Sequence, residues 1–251
     1  MERLATRFLK LFGYKLVKII SSSSKFIPDV LSIRTDSMLA GLYRSKERKV
    51  APKTIIDIGA AQGKWTEKAM QVWQQSNYVL FEPLAEREQE LKRLSSQHPN
   101  VKIVNAGAGK EKSVIDFFVT NDLDGSGVAD NGTNAEHRTI SITTVDDEIN
   151  QLKLPGPYLL KLDTHGYEVA IFEGASNTLK QTELIIVECY GFQIAPGSLL
   201  FWEMCQYLDS KGFRLIDMVD IMRREKDQAF WQCDAFFIPK ASPIFTRNTY
   251  N

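Results

Sequence analysis

The stretch Thr54-Ile55-Ile56-Asp57-Ile58-Gly59-Ala60-Ala61-Gln62-Gly63-Lys64-Trp65 limits what this chain can fold into more than any other. An apolar run ending in an acid, then a Gly-x-x-x-Gly turn, then helical periodicity, is the pattern of a buried strand that swings sharply into a helix. Gly59 and Gly63 carry no side chain where the backbone must turn and where a flat, polar ligand would approach it. A nucleotide-like ligand is the first hypothesis. The competing reading is structural, with Gly59 a strand-to-loop glycine and Gly63 a close contact between helix and sheet.

The next strand, Tyr78-Val79-Leu80-Phe81, ends at Glu82-Pro83. Glu82 follows Gly59 by 23 residues, near the offset of about 20 at which an acid closing the second strand meets ribose hydroxyls. A carboxylate only accepts hydrogen bonds, so it suits a vicinal diol and repels a 2′-phosphate. The expected ligand is therefore adenosine-like with a free ribose. A pyrophosphate would ask for the tighter Gly-x-Gly-x-x-Gly turn, whereas the turn here has only its two outer glycines. This favours S-adenosylmethionine over a dinucleotide such as NAD, with Asp57 placed for water-mediated contacts to the ammonium of the methionine tail.

Five blocks in this order, Ile56–Gly63, Phe81-Glu82-Pro83, Thr144-Val145-Asp146-Asp147, Leu160–Glu168 and Ile186-Val187-Glu188, resemble FkbM-type methyltransferases over about residues 52–240. The resemblance implies a class I S-adenosylmethionine-dependent enzyme, in a family of which many members methylate a hydroxyl oxygen. It implies an α/β, Rossmann-like sheet of seven strands in the order 3-2-1-4-5-7-6, the last inserted antiparallel. The acceptor it implies is a sugar, polysaccharide or secondary metabolite. The alternatives are a methyltransferase-like binding or scaffold protein without turnover, and an NAD-dependent Rossmann enzyme.

Alternating strand and helix patterns support the sheet. Strands are predicted at 54–58, 78–81, 101–104, 158–162, 184–187, 213–217 and 233–238, and helices at 64–75, 84–97, from Glu168 through Leu179, and 198–211. Residues 113–143 break the alternation with two β-rich segments around Asp122-Leu123-Asp124-Gly125-Ser126-Gly127, a candidate lid or acceptor contact. In an open α/β sheet ligands bind at the carboxyl ends of the strands near the switch in strand order. Asp57, Gly59, Glu82, Ala106, Asp163 and Glu188 all fall on that edge. Cofactor contacts are expected from Asp57, Gly59, Ala60, Gly63, Glu82, Pro83, Asn105, Ala106 and Asp163. The small residues after Asn105 would admit an adenine ring.

Methyl transfer from a sulfonium is an in-line displacement, so positioning supplies much of the rate, and a protonated hydroxyl acceptor calls for a nearby base. Asp163 and His165 are the catalytic candidates. An ordinary histidine pKa near 6.5 would let His165 accept a proton at neutral pH. Glu168 reads as a first-turn acid favoured by the helix dipole.

Thirty-one basic residues balance 31 acidic ones, so nothing global points to nucleic acid. Cys189, Cys205 and Cys233 lack a Cys-x-x-Cys pair, and His98, His137 and His165 lack a His-x-x-x-His pair. By spacing, then, no metal is expected, and the thiols suit a reducing, cytoplasmic compartment. A chain of 251 residues, 43% hydrophobic, divides into a helical N-terminal extension, 1–50, and a catalytic domain, 51–251. Leu4, Phe8, Leu11, Phe12 and Ile19 recur at helical spacing, interrupted by Arg3, Arg7, Lys10, Lys15 and Lys18. The run is too short and too charged to span a bilayer or serve as a signal peptide. It is expected either to lie on the inner face of an anionic membrane or to pack on the catalytic domain or on a second copy in a homo-oligomer.

Overall fold

A computed structural model describes residues 36–128, 136–247 and 249–250. Of the helical extension expected over 1–50, the basic amphipathic run and every other residue before 36 lie outside the described residues.

The central strands of the main sheet are mostly apolar because both of its faces are covered. Helix α1 spans Met38–Glu47. It is followed by β1 (Thr54–Ile58), α2 (Lys64–Val72), β2 (Asn77–Phe81), a 3-10 turn at Ala85–Arg87 leading into α3 (Glu88–Gln97), and β3 (Val101–Val104). Then come β4 (Gly107–Ala108), β5 (Ser113–Val119), β6 (Glu136–Thr143), α4 (Val145–Leu152), β7 (Tyr158–Leu162), α5 (Glu168–Glu173) and α6 (Ser176–Leu179). Then follow β8 (Thr182–Tyr190), α7 (Phe201–Ser210), β9 (Phe213–Arg223), β10 (Phe230–Pro239) and a 3-10 turn at Pro243–Thr246.

Seven strands form one sheet in the order β3-β2-β1-β7-β8-β10-β9, and β10 runs antiparallel to both of its neighbours. Counting only the strands of this sheet in chain order, that is 3-2-1-4-5-7-6. Strands β4, β6 and β5 leave it to form a separate three-stranded sheet.

Alternation along each strand divides the core in two. Ile56, Ile58, Leu160, Leu162, Ile185 and Val187 face a cluster built with α4, α5 and α7. Ile55, Leu80, Leu159, Leu184 and Ile186 face a second cluster with Met38 and Leu42 of α1, Trp65 and Ala69 of α2, and Leu91 and Leu94 of α3. The same alternation sends Asp57 of β1 and Lys161 of β7 toward the second face. The parallel register sets these two side by side.

Three differences from the expected elements have a local cause. Helix α2 stops at Val72 instead of Gln75, because Trp73 leaves helical geometry at φ −123°. The helix expected from Glu168 through Leu179 is two helices: Gly174 lies so close to the Gly109 carbonyl that a Cβ there would sit 1.9 Å from its oxygen. The second helix is started by Asp146, which accepts from the amides of Asn177 and Thr178, both at 2.8 Å. Helix α4 was not anticipated as an element, although its N-cap Thr144, which accepts from the Asp147 amide at 3.0 Å, stood in plain sight.

Helix α1 is fastened to β9. Asp220 accepts from the Met38 amide at 2.8 Å, and Asp217 accepts from Arg44 at 2.7 Å and Arg48 at 2.9 Å. Burial pushes the Asp217 carboxyl up, but the two guanidiniums hold it below its ordinary value. A carboxyl whose pKa is lowered by folding stabilises above its unfolded value and loses that contribution as pH falls through the folded one. The difference in thermal midpoint between wild type and Asp217→Asn is therefore expected to be constant at neutral pH and to shrink below about pH 4. A difference that holds through the acid range would remove Asp217 from acid sensitivity.

Candidate active site at the carboxyl edge of the sheet

The turn after β1 sets the geometry. Gly59 adopts φ +78°, and a Cβ on it would stand 2.1 Å from the carbonyl oxygen of Asp163. The ends of β1 and β7 can approach this closely only with glycine there. The amides of Gly59 and Ala60 both donate to the Phe81 carbonyl at 3.1 Å, which ties the turn to the end of β2. Gly63, at φ +77°, opens α2. A Cβ on it would reach Leu94 of α3 at 2.9 Å, so its role is close packing of one helix on another.

Glu82 is buried at the end of β2. Its two oxygens accept from the amides of Ala61 at 2.8 Å and Leu84 at 2.9 Å. Burial raises its pKa against the pull of those amides. Each oxygen keeps further acceptor capacity, and the side chain lines a cavity of about 320 Å³.

Strand ends form one side of this cavity: Ile58, Gly59, Phe81, Glu82, Gly107, Asp163, His165 and Glu188. The small sheet covers the other side with Ile115, Phe117, Ile140 and Ile142, and the loop after β5 adds Leu123, Asp124 and Ser126. The loop is held in place from two directions. Buried Arg87 pairs with Asp124 and donates to the Asp122 carbonyl at 3.5 Å, and the Ser126 carbonyl lies 3.2 Å from Nδ1 of His165. An apolar enclosure with a few convergent polar groups is the common form of a small-molecule site.

The structure gathers five of the expected residues, Gly59, Glu82, Pro83, Asp163 and His165, on this cavity. Ala60 opens instead onto an adjoining cavity of about 280 Å³ with Gln62, Lys64, Trp65 and Lys68, which shares Gly59, Ala61, Asp124 and Asp163 with the first. Asp57 lines neither; it is fully buried and accepts from Thr66 at 2.7 Å. Asn105 is exposed and donates to Glu88 at 3.4 Å. Gly107 and Ala108, two positions further on, line the cavity where Asn105 and Ala106 were expected.

Charge at the cavity end is concentrated. Lys161, 4% exposed, lies 2.9 Å from Asp163 and 3.6 Å from Asp57. Burial works against its ammonium, but the two carboxylates outweigh it and raise the pKa. Nε2 of His165 is 3.5 Å from Asp163 and 3.6 Å from Glu188. Burial disfavours the imidazolium, yet Asp163 and then Glu188 push the His165 pKa up to about 9. Burial also raises Asp163, but Lys161 and His165 override it and hold the carboxyl well below the usual range. Glu188 goes the other way, up to about 8, through burial and the neighbouring Asp163 charge. Tyr190 and Gln232 both donate to its oxygens.

The expectation for His165 therefore changes. With the Asp163 carboxylate beside it and Glu188 adding to the pull, the imidazole holds its proton at neutral pH, and a pKa of 6.5 does not describe it. Glu168 is buried and accepts from the Gly166 amide at 2.9 Å and the Thr164 hydroxyl at 3.1 Å. It pins the segment in which His165 takes the strained φ of +52°. Glu188 was read as a strand end without a role, and Lys161 was missed. The available signal was a lone lysine in an otherwise apolar strand, which needs a buried partner.

The strand order, the glycine turn and a cavity at the carboxyl edge define a Rossmann-like class I methyltransferase fold. The methyltransferase FkbM domain matches residues 57–215, and the chain belongs to that family. Among solved structures it is similar to the FkbM methyltransferase of Methylobacillus flagellatus KT, at 16% identity and a TM-score of 0.48, over 73% of this chain and 43% of that one. The chain thus spans less than half the length of that relative. It is also similar to a precorrin-6y C5,15-methyltransferase of Geobacter metallireducens GS-15, at 12% identity and a TM-score of 0.47, over 88% of this chain and 94% of that one. Magnesium protoporphyrin IX methyltransferase of Synechocystis PCC 6803, solved with bound SAM, matches at 9% identity and a TM-score of 0.46, over 82% of this chain and 77% of that one. No curated protein matches the chain. Methyl transfer is the activity of the family, and the class I fold implies S-adenosylmethionine as donor. Among the described residues, no helix is long and apolar enough to cross a membrane.

Proposed function

We propose that this protein transfers a methyl group from S-adenosylmethionine to a hydroxyl oxygen of a small-molecule or carbohydrate acceptor. S-adenosylmethionine, when bound, supplies a methyl group made electrophilic by the adjacent sulfonium. The residues present fit it. Glu82 offers acceptor oxygens for a ribose diol, and Phe81, Leu84, Gly107 and Ala108 offer flat, apolar surface beside it. Asp163 keeps its negative charge at this edge, and its carboxylate faces the cavity as a partner for a positively charged group of the ligand. Trp65, whose Nε1 is buried without a hydrogen-bond partner, lines the adjoining cavity.

The observation that carries the hydroxyl reading is the convergence of Asp163, His165 and Glu188 at the cavity end. A hydroxyl acceptor has to be oriented and relieved of its proton. Glu188, poised near neutrality, is matched to that task, while His165 and Lys161 keep Asp163 charged and fixed.

Replacing Glu82 by Ala is expected to weaken S-adenosylhomocysteine binding by tenfold to a hundredfold, the equivalent of about 1.5–3 kcal/mol from lost charge-assisted hydrogen bonds. Calorimetry on wild type and variant measures it. Tight NAD binding with no response to either sulfur nucleoside would overturn the assignment. Hydroxyl specificity is checked with a donor labelled in its methyl group and paired hydroxyl and amine acceptors. Label appearing only on nitrogen would move the reaction to another class, and binding without any turnover would favour a scaffold.

A further inference from the structure

We infer that Asp163, His165 and Glu188 form a divalent-cation site at the end of the cavity, suited to a first-row metal such as Mn²⁺. Each residue offers one ligand atom, and all three atoms lie within 4.8 Å of one another. The imidazole Nε2 stands 3.5 Å from an Asp163 oxygen and 3.6 Å from a Glu188 oxygen. Donors bound to one cation at about 2.0–2.2 Å are themselves separated by roughly 3–3.5 Å, so a small closure of the trio suffices.

The surroundings support ligation as well as the spacing. With Nδ1 donating to the Ser126 carbonyl at 3.2 Å, Nε2 faces the carboxyl oxygens of Asp163 and Glu188. Something positive has to stand between them, a proton or a cation. A backbone carbonyl on the far nitrogen is the usual way a ligating histidine is oriented. Both carboxylates are steadied from behind: Glu188 by Tyr190 and Gln232, and Asp163 by Lys161 at 2.9 Å through its other oxygen. The backbone also commits strain to the arrangement, since His165 sits at φ +52° in a segment clamped by Glu168.

One imidazole with two carboxylates, and no thiolate, lies between the preferences of zinc and of magnesium, which is where Mn²⁺ binds well. Three protein ligands leave positions open, and all three residues line the cavity. A hydroxyl oxygen taking such a position would be oriented and made more acidic. That role rests on the methyl-transfer reading, whereas cation binding itself does not. Spacing in the sequence gave no sign of the site because its donors come from the ends of two strands.

The test uses full-length protein freed of metal with a chelator and titrated with Mn²⁺ alone, followed by electron paramagnetic resonance or calorimetry. One saturable site per chain is expected. His165→Ala and Glu188→Gln should each weaken it by at least tenfold to a hundredfold, the range seen when even a partner of a ligand is lost. Asp116→Asn, which removes the surface pair with His137 at 3.3 Å, should leave the affinity unchanged. If either site variant fails to fold, Tyr190→Phe removes only the hydroxyl behind Glu188 and should still weaken Mn²⁺ by about tenfold. Absence of saturable uptake in protein that binds S-adenosylhomocysteine would overturn the proposal and leave a bare imidazolium. So would equal uptake by folded His165→Ala. Mn²⁺ binding by protein that ignores S-adenosylhomocysteine would keep the cation site and remove the methyl-transfer reading.

Discussion

Lys161→Met is expected to cost about 3–5 kcal/mol of folding stability, because it strips the positive partner from buried carboxylates and leaves them uncompensated. Lys161 is 4% exposed and its direct neighbour across the sheet, Asp57, is 0% exposed, so water cannot take over the lost interaction. At 2–4 °C per kcal/mol for a domain of this size, the thermal midpoint should fall on the order of 10 °C. The attraction between Lys161 and Asp57 is offset by the desolvation of both, so removing the pair together is far less damaging than breaking it. Lys161→Met with Asp57→Asn should accordingly recover part of the loss. Thermal unfolding followed by circular dichroism decides the matter. A single variant within 2 °C of wild type, on the order of 1 kcal/mol, would show that Asp57 and Asp163 are neutralised some other way.

His165→Ala is expected to lower methyl transfer by roughly 10²- to 10⁴-fold while S-adenosylhomocysteine affinity stays nearly unchanged. Its imidazole lies beside both Asp163 and Glu188 and faces the cavity, while Glu82, the acid proposed for the ribose, stands 83 residues earlier in the chain. Initial rates with a saturating donor, set beside calorimetric affinities, separate the two effects. Asp163→Asn is the comparison that locates the chemistry. If it abolishes turnover and His165→Ala does not, the histidine is a bystander and Asp163 is held for its task by Lys161 alone.

The turn at Gly59, the strand pattern and the acid closing the second strand were legible in the sequence because each depends on local constraints. A buried parallel strand has to be apolar over its length, a φ near +78° excludes most side chains, and an acid at a strand end stands out against the apolar run before it. The site as a chemical unit was not legible in the same way. Asp163 and His165 stand two residues apart, but Glu188, Tyr190 and Gln232 reach them from β8 and β10, and Ser126 reaches them from the loop beyond β5. Glu168, which looked like a helix-dipole acid, turned out to be the clamp on the histidine segment.

By itself, then, the sequence determined the class of fold and the edge of the sheet on which the cavity opens, since hydrophobic periodicity and backbone sterics act within a few residues. Only the tertiary structure decided the protonation of His165, the near-neutral Glu188, the pairing of Lys161 with Asp57 and Asp163, and the convergence of three metal-capable donors. Those properties depend on burial and on charges a few ångströms away in space. Sheet registry brings such charges together from strands far apart in the chain, and no local pattern records it.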